Sequence, residues 1–132
     1  MKLITAIIFL GIGIFGSSQN RDTICNQLPI ALPETKASFS SSLENQISDA
    51  LKKTITESSK FSATYKLIVD CDGRVSKYFF KQGDMNDVDR RLVEDVLKTS
   101  EWQPGIDKGK IVASTVYITI EIVAGKVECR TN

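Results

Sequence analysis

The sequence predicts a two-layer α+β domain in which two helices cover one face of an antiparallel three-stranded sheet. Two observations predict this class. Apolar residues recur with helical spacing in two stretches, and apolar and polar residues alternate in three others. The predicted order along the chain is helix, strand, strand, helix, strand. A length of 132 residues is enough for one small domain of this kind.

The first residues have the composition of a secretory signal peptide. Lys2 precedes an apolar run over 3–15, and small and polar residues follow it. Gly16 and Ser18 suit the −3 and −1 positions, so we assign 1–18 to the signal and predict cleavage near Ser18. The run is shorter than the roughly 20 apolar residues that a membrane-spanning helix needs. We therefore expect a periplasmic or secreted protein, with a membrane-anchored one as the alternative.

The charge balance and the residue types bound the kinds of partner. With 17 basic and 16 acidic residues the formal net charge is +1, which gives no attraction to nucleic acid or to anionic lipid. The chain has no histidine, the commonest general base and the commonest metal ligand. We expect no nucleic-acid partner, no metal and no cofactor.

The mature chain is expected to divide into a lead-in, a domain and a tail. Residues 19–40 contain Pro29 and Pro33 and are predicted to be extended. The domain proper covers 41–123, and 124–132 form the tail.

The first helix is predicted from a capping box and an apolar stripe. Ser41 and Glu44 have the spacing at which a hydroxyl and a carboxylate bond free amides of a first helical turn. The helix is expected to end near Ser58. The stripe consists of Leu43, Ile47, Ala50, Leu51 and Ile55.

A β-hairpin follows the first helix. Apolar and polar residues alternate over 63–69, and Asp72-Gly73 is typical of a two-residue turn with positive φ at both central positions. The return strand over 74–81 carries apolar residues on both faces. A β-bulge and a covered second face both explain this pattern.

The second helix is expected to begin at Asn86 or Asp87, either of which can cap it. Pro104 prevents it from continuing past Trp102. Its predicted stripe consists of Val88, Leu92, Val96 and Leu97, with Val93 beside it.

The last strand has the most regular alternation in the chain. Its core face is predicted to carry Val112, Ser114, Val116, Ile118, Ile120 and Ile122. Its other face carries Ala113, Thr115, Tyr117, Thr119 and Glu121. The residues over 123–127 can turn back on this strand, which would make the tail a short fourth strand.

Several short motifs occur in a fixed order. They are Val69-Asp70, Asp72-Gly73-Arg74-Val75, Val88-Asp89, Trp102, Pro104-Gly105 and Gly109-Lys110. Together with the last strand they resemble the C-terminal domain of TonB, the periplasmic energy transducer of Gram-negative bacteria, and most closely the TonB-like domains of Bacteroidetes. The resemblance covers roughly 43–122. We interpret Asp72, Gly73, Trp102, Pro104, Gly105 and Gly109 as residues that hold the fold.

The resemblance implies a binding mode and a partner. A TonB-like domain captures an extended peptide, the TonB box, of an outer-membrane transporter by adding it as a strand to its sheet. The matching edge here is the last strand, with contacts from Ala113, Thr115, Tyr117, Thr119 and Glu121. An ordinary exposed strand face is the alternative interpretation. A tail that turned back would cover this edge and block the peptide.

The chain also departs from TonB itself, which has a membrane anchor containing a histidine and a long proline-rich linker. This sequence has three prolines and no histidine. A free binding or adaptor domain therefore fits better than an energy transducer, unless the N-terminus stays uncleaved. A self-associating structural domain, dimeric through its exposed strand, is a further alternative.

An enzyme is the remaining alternative, and we do not expect one. Turn and capping roles account for the carboxylates near the loops more simply than acid–base catalysis does. These carboxylates are Asp70, Asp72, Asp84, Asp87 and Asp89.

The three cysteines are Cys25, Cys71 and Cys129. In an oxidising compartment they predict one disulfide and one spare thiol. We hypothesise a disulfide between Cys25 and Cys129 that ties the lead-in to the tail, with Cys71 as the spare thiol.

Overall fold

The computed structural model describes residues 28–132, and the predicted signal peptide and Cys25 lie outside them. The described residues contain two helices and mostly antiparallel strands, which confirms the predicted α+β class. In chain order the elements are β1 (Ser38–Phe39), α1 (Leu43–Leu51), β2 (Lys60–Val69), β3 (Val75–Gly83), α2 (Asp87–Thr99), β4 (Trp102–Gln103), β5 (Gly105–Asp107), β6 (Lys110–Val112), β7 (Ser114–Val123) and β8 (Lys126–Thr131).

The main sheet has four strands in the order β3-β2-β7-β8, and each neighbouring pair is antiparallel. The prediction of a three-stranded sheet is therefore wrong. The tail turns back after β7 and forms β8, the fourth strand that the sequence left open. β7 thus has β2 on one side and β8 on the other. Two smaller antiparallel pairs, β1-β4 and β5-β6, lie outside this sheet.

The core lies between the two helices and one face of the main sheet. Because side chains of α1 and α2 belong to one buried cluster with alternate residues of β2 and β7, both helices cover the same face. We call the opposite side of the sheet the open face. The strand residues in the cluster are Ala63, Tyr65, Leu67, Val69, Val116, Ile118, Ile120 and Ile122.

Helix α1 does not use the predicted capping box. Its N-cap is Ser42, which makes no side-chain cap bond, and the helix ends at Leu51, well before Ser58. The Glu44 carboxylate instead accepts the backbone N–H of Cys129 at 2.7 Å. Glu44, the predicted capping partner of Ser41, therefore binds α1 to β8.

Helix α2 begins as predicted, with Asn86 as its N-cap. The Asn86 side chain accepts the N–H of Asp89 at 2.8 Å, and its amide donates to the Asp89 carboxylate at 3.1 Å. This reciprocal pair keeps Asp89 buried, and Val93 and Leu97 follow it on the same face. Val88 is 60% exposed, so the predicted stripe is wrong at its first residue.

The hairpin between β2 and β3 has a three-residue loop, not the predicted two-residue turn. Gly73 N–H donates to Asp70 O at 2.9 Å, and Asp70 N–H donates to Arg74 O at 2.8 Å. Gly73 has φ +83°, whereas Asp72 is not among the residues with positive φ. A turn followed by one left-handed glycine closes a hairpin of this length, so Asp72 needs no strained backbone.

Strand β3 contains two bulges, which explains its apolar residues on both sides. The register with β2 shifts twice, so Ser76 and Lys81 have no partner of their own. Each extra residue changes the side to which the following residues point. As a result Val75, Tyr78 and Phe80 all lie on the core side of the sheet.

Trp102 closes the core at one end of the sheet. Its ring is buried, packs edge-on against Phe39 at 5.7 Å between centroids, and donates from Nε1 to Ser100 Oγ at 2.9 Å. Its backbone N–H donates to Gly73 O at 2.9 Å. A Cβ on Gly73 would lie 2.3 Å from Trp102 O, so the hairpin loop and the tryptophan can meet only at a glycine.

The remaining motif residues shape the chain between Trp102 and β7. Pro104 separates β4 from β5, and a Cβ on Gly105 would lie 2.7 Å from Ser114 Oγ. Lys108 with φ +52° and Gly109 with φ +76° form the two-residue turn between β5 and β6.

Candidate functional site: the outer edge of strand β3

The predicted peptide-binding edge on β7 is not open. Strand β8 pairs with β7 over Ile118 to Val123, and Asn132 N–H donates to Tyr117 O at 3.1 Å beyond that ladder. At the other end of β7, Ile30 donates to Ala113 O at 2.9 Å and accepts from Thr115 N–H at 3.0 Å. The prediction of a binding edge on this strand is therefore wrong, because the chain itself occupies the edge.

The five side chains predicted to contact a peptide do not line an open edge of the sheet. Thr115, Tyr117 and Thr119 are on the open face, where Thr119 and Thr64 hydroxyls are 3.0 Å apart. Glu121 forms an ion pair with Arg130 of β8. Ala113 is buried.

The outer edge of β8 is held by α1. Asn132 is bonded toward β7, so by the alternation of an antiparallel ladder the N–H of Cys129 points away from β7. That N–H is the one accepted by the Glu44 carboxylate. The outward N–H of Cys129 is therefore not available to a further strand.

The predicted disulfide between Cys25 and Cys129 is wrong. Cys129 is a free thiol, whereas Cys71 is disulfide-bonded and is not the spare thiol. Cys129 lies against α1 on the core side of β8, and burial followed by the nearby Glu44 charge raises its pKa to about 12. Its thiol is held in the packing between helix and sheet.

Within the described residues 28–132, no strand covers the outer edge of β3 over most of its length. One end is bridged, where Arg74 pairs with Glu101. Beyond it, Phe80 lies directly opposite Tyr65, whose backbone N–H and C=O point toward β7. Because paired residues of an antiparallel ladder point their backbone groups either toward each other or away from each other, the N–H and C=O of Phe80 point away from β2. Tyr78 does the same opposite Leu67. In the described part of the chain no hydrogen bond reaches these outward groups.

Aromatic side chains flank this edge on both sides of the sheet. On the open face Phe79 is 45% exposed, and Lys66 Nζ lies 5.7 Å from its ring centroid. On the core side Arg90 lies over the Phe80 ring at 4.3 Å, and Lys98 lies over the Tyr78 ring at 5.6 Å. Contacts of this kind between cations and rings hold both partners in place.

Tyr65 supports the edge from the core. Its ring meets Phe80 edge-on at 5.6 Å and Tyr78 at 6.4 Å, and its hydroxyl donates to the Glu94 carboxylate at 2.7 Å. Burial, and then the bond to Glu94, raise the pKa of this phenol. The aromatic residues of β3 therefore rest on a fixed, neutral side chain.

Sequence reasoning missed this edge, although it carried a signal. The segment Lys77-Tyr-Phe-Phe-Lys81 places three aromatic residues between two lysines in the second strand of a hairpin. This strand pairs with the first strand of its hairpin on one side only. A cluster of partly exposed aromatic residues on it therefore indicates that its other side forms an exposed edge of the sheet.

The loop carboxylates have local structural roles. Asp84 accepts Ser62 N–H at 2.8 Å, and Asp72 accepts Arg74 N–H at 3.1 Å. Burial raises the pKa of Asp70, beside the hairpin loop. In the described part of the chain, no three histidine, cysteine or acidic side chains lie close enough to hold a metal ion.

Within 28–132 the chain forms an α+β domain whose four-stranded sheet meets α1 at β8 and carries no further strand at β3. A comparison with protein families, curated proteins and solved structures finds no match to this chain. None of the helices within 28–132 is long and apolar enough to cross a membrane.

Proposed function

We propose that the protein is a TonB-like binding or adaptor domain that captures an extended peptide by adding it as a strand to the outer edge of β3. The observation that carries the proposal is the open backbone of Tyr78 and Phe80, on a sheet whose other edge is held by Glu44. Strand addition uses backbone hydrogen bonds for affinity and side-chain contacts for specificity.

The resemblance to TonB C-terminal domains supports the choice of partner. It implies a peptide from an outer-membrane transporter, met in the periplasm, with membrane anchoring of an uncleaved chain as the alternative. The peptide position differs from the one the resemblance implies, because β8 occupies the edge of β7.

Self-association through the same edge is a second candidate, since Phe79 and Phe80 are partly exposed there. Charge disfavours it. In the register that pairs Tyr78 of one copy with Phe80 of another, Lys77 lies opposite Lys81. Like charges directly opposite each other destabilise a strand pair.

The test uses amide chemical shifts and a proline block. A synthetic TonB-box peptide is expected to shift the amide signals of Tyr78 and Phe80, and not those of β7. Phe80→Pro removes an outward N–H that the β2 ladder does not use, which an edge strand tolerates. Phe80→Ala loses the same ring and keeps the N–H, so it is the matched control.

We expect Phe80→Pro to weaken peptide binding at least tenfold relative to Phe80→Ala, with both variants folded by circular dichroism. Shifts confined to β7 and β8, or equal binding by the two variants, would refute the proposed site. A concentration-dependent dimer that no peptide displaces would favour self-association.

A further inference from the structure

We infer that the β3 edge selects an extended acidic segment in which two carboxylates flank an apolar residue, each two positions away from it. This inference rests on the proposed strand addition at β3 and names the chemistry of the guest. Its basis is the row of side chains that β3 presents on the open face.

The row consists of Lys77, Phe79 and Lys81. Lys77 is opposite Ile68 and Phe79 is opposite Lys66, which places both on the open face. Lys81 is the extra residue of the bulge between Phe80 and Gln82, and it is exposed. In a paired strand, directly opposite residues point to the same face, so a guest would present three alternate side chains to this row.

The basic charge of this row is not neutralised within the domain. Strands β2 and β3 together carry Lys60, Lys66, Lys77 and Lys81 and no carboxylate. Among the described residues, none of these lysines is in an ion pair. Guest carboxylates opposite Lys77 and Lys81 would supply the missing charge. A guest side chain of the same sign would be repelled.

The middle position of the row favours an apolar residue. Phe79 is 45% exposed, and its ring already has Lys66 Nζ at 5.7 Å on the same face. A branched apolar side chain opposite Phe79 would bury part of this ring, and aromatic–β-branched cross-strand pairs are favourable.

The core side of the edge contributes little to selection. Arg90 and Lys98 of α2 already lie over the rings of Phe80 and Tyr78. Arg90 is paired with Asp87, and Lys98 with Asp95. Guest residues on this side need only be small, so the recognised pattern is read from the open face alone.

The experiment compares three peptides, Ser-Xaa-Thr-Val-Thr-Xaa-Ser with both ends blocked and Xaa as Glu, Gln or Lys. Binding is measured from the amide shifts of Tyr78 and Phe80 at low and high salt. Two partly exposed ion pairs predict that the Glu peptide binds about fivefold tighter than the Gln peptide, and that the Lys peptide binds weakest. High salt should remove most of this preference.

A charge reversal tests whether Lys77 and Lys81 select the guest peptide. Lys77→Glu combined with Lys81→Glu is expected to reverse the order of the Glu and Lys peptides. The control, Lys52→Glu with Lys53→Glu at the exposed end of α1, should leave the order unchanged. Equal binding of all three peptides at this edge would overturn the inference and leave strand addition standing. Failure of all three to bind would overturn both.

Discussion

Replacing Gly73 with alanine tests how the hairpin loop and Trp102 depend on each other. Gly73 has φ +83°, and a Cβ there would lie 2.3 Å from Trp102 O. Gly109 has nearly the same backbone, φ +76°, but nothing lies within 4 Å of the Cβ position. Gly109→Ala therefore measures the backbone cost alone, and Gly73→Ala measures that cost plus the crowding.

The two free-energy changes follow from the geometry. A left-handed conformation costs a non-glycine residue about 1–2 kcal/mol. At Gly73 the carbonyl of Trp102 must also retreat, which breaks the 2.9 Å bond from Trp102 N–H to Gly73 O. Losing such a bond costs about 1 kcal/mol, and moving Trp102 off Phe39 adds to it. We expect Gly73→Ala to cost about 3 kcal/mol or more, and Gly109→Ala about 1 kcal/mol.

Urea unfolding followed by tryptophan fluorescence is the suitable assay, because Trp102 is the single tryptophan of the chain. A difference of about 2 kcal/mol separates the two midpoints by roughly 1 M urea for a domain of this size. Equal losses of stability in the two variants would refute the reasoning, since the contact with Trp102 would then carry no cost.

Three further predictions concern the helix-to-sheet contacts. Glu44→Ala should lower the free energy of unfolding by about 1–2 kcal/mol because Cys129 N–H loses its acceptor, while Glu44→Gln keeps an acceptor and should cost clearly less in the same urea assay. Burial raises the pKa of Cys129 from 9.0 to about 12, so its thiolate fraction near pH 8 should be about a thousandfold below that of an ordinary thiol. We therefore expect slow reaction with Ellman's reagent until denaturant is added. Rapid reaction of the folded protein would contradict the burial of this thiol. Tyr65→Phe should cost about 1 kcal/mol in thermal unfolding by leaving Glu94 without its 2.7 Å donor, and an unchanged melting temperature would show that water replaces the hydroxyl at no cost.

Local signals in the sequence predicted the structure best where a feature depends only on contacts between residues a few positions apart. Asn86 caps α2 because its side chain reaches an amide three residues away. The alternation of β7 correctly separated Ile118 and Ile120 from Thr119, since a strand buried on one face has no other way to arrange them. Gly109 was interpreted as a residue that holds the fold, and it lies in a turn with a left-handed backbone that few other residues adopt.

Contacts between distant segments could not be predicted from local signals. Glu44 has a good capping position, but Cys129 offers it an unpaired amide from a strand formed 85 residues later. The binding edge on β7 depended on whether the tail paired with it, and the tail carries only weak alternation. The bulges in β3 were one of two explanations left open, because bulge positions are set by the register with β2.

The pairing of β2 with β7 also bears on how the chain reaches its structure. The hairpins β2–β3 and β7–β8 close through short loops, and isolated hairpins form within about 1–10 μs. The ladder between them joins residues as far as 63 apart, at Lys60 and Val123, and non-local pairing of this kind slows folding toward milliseconds or longer. In that interval the apolar face of β7 is bare, so refolding yield should fall as the concentration of chain rises.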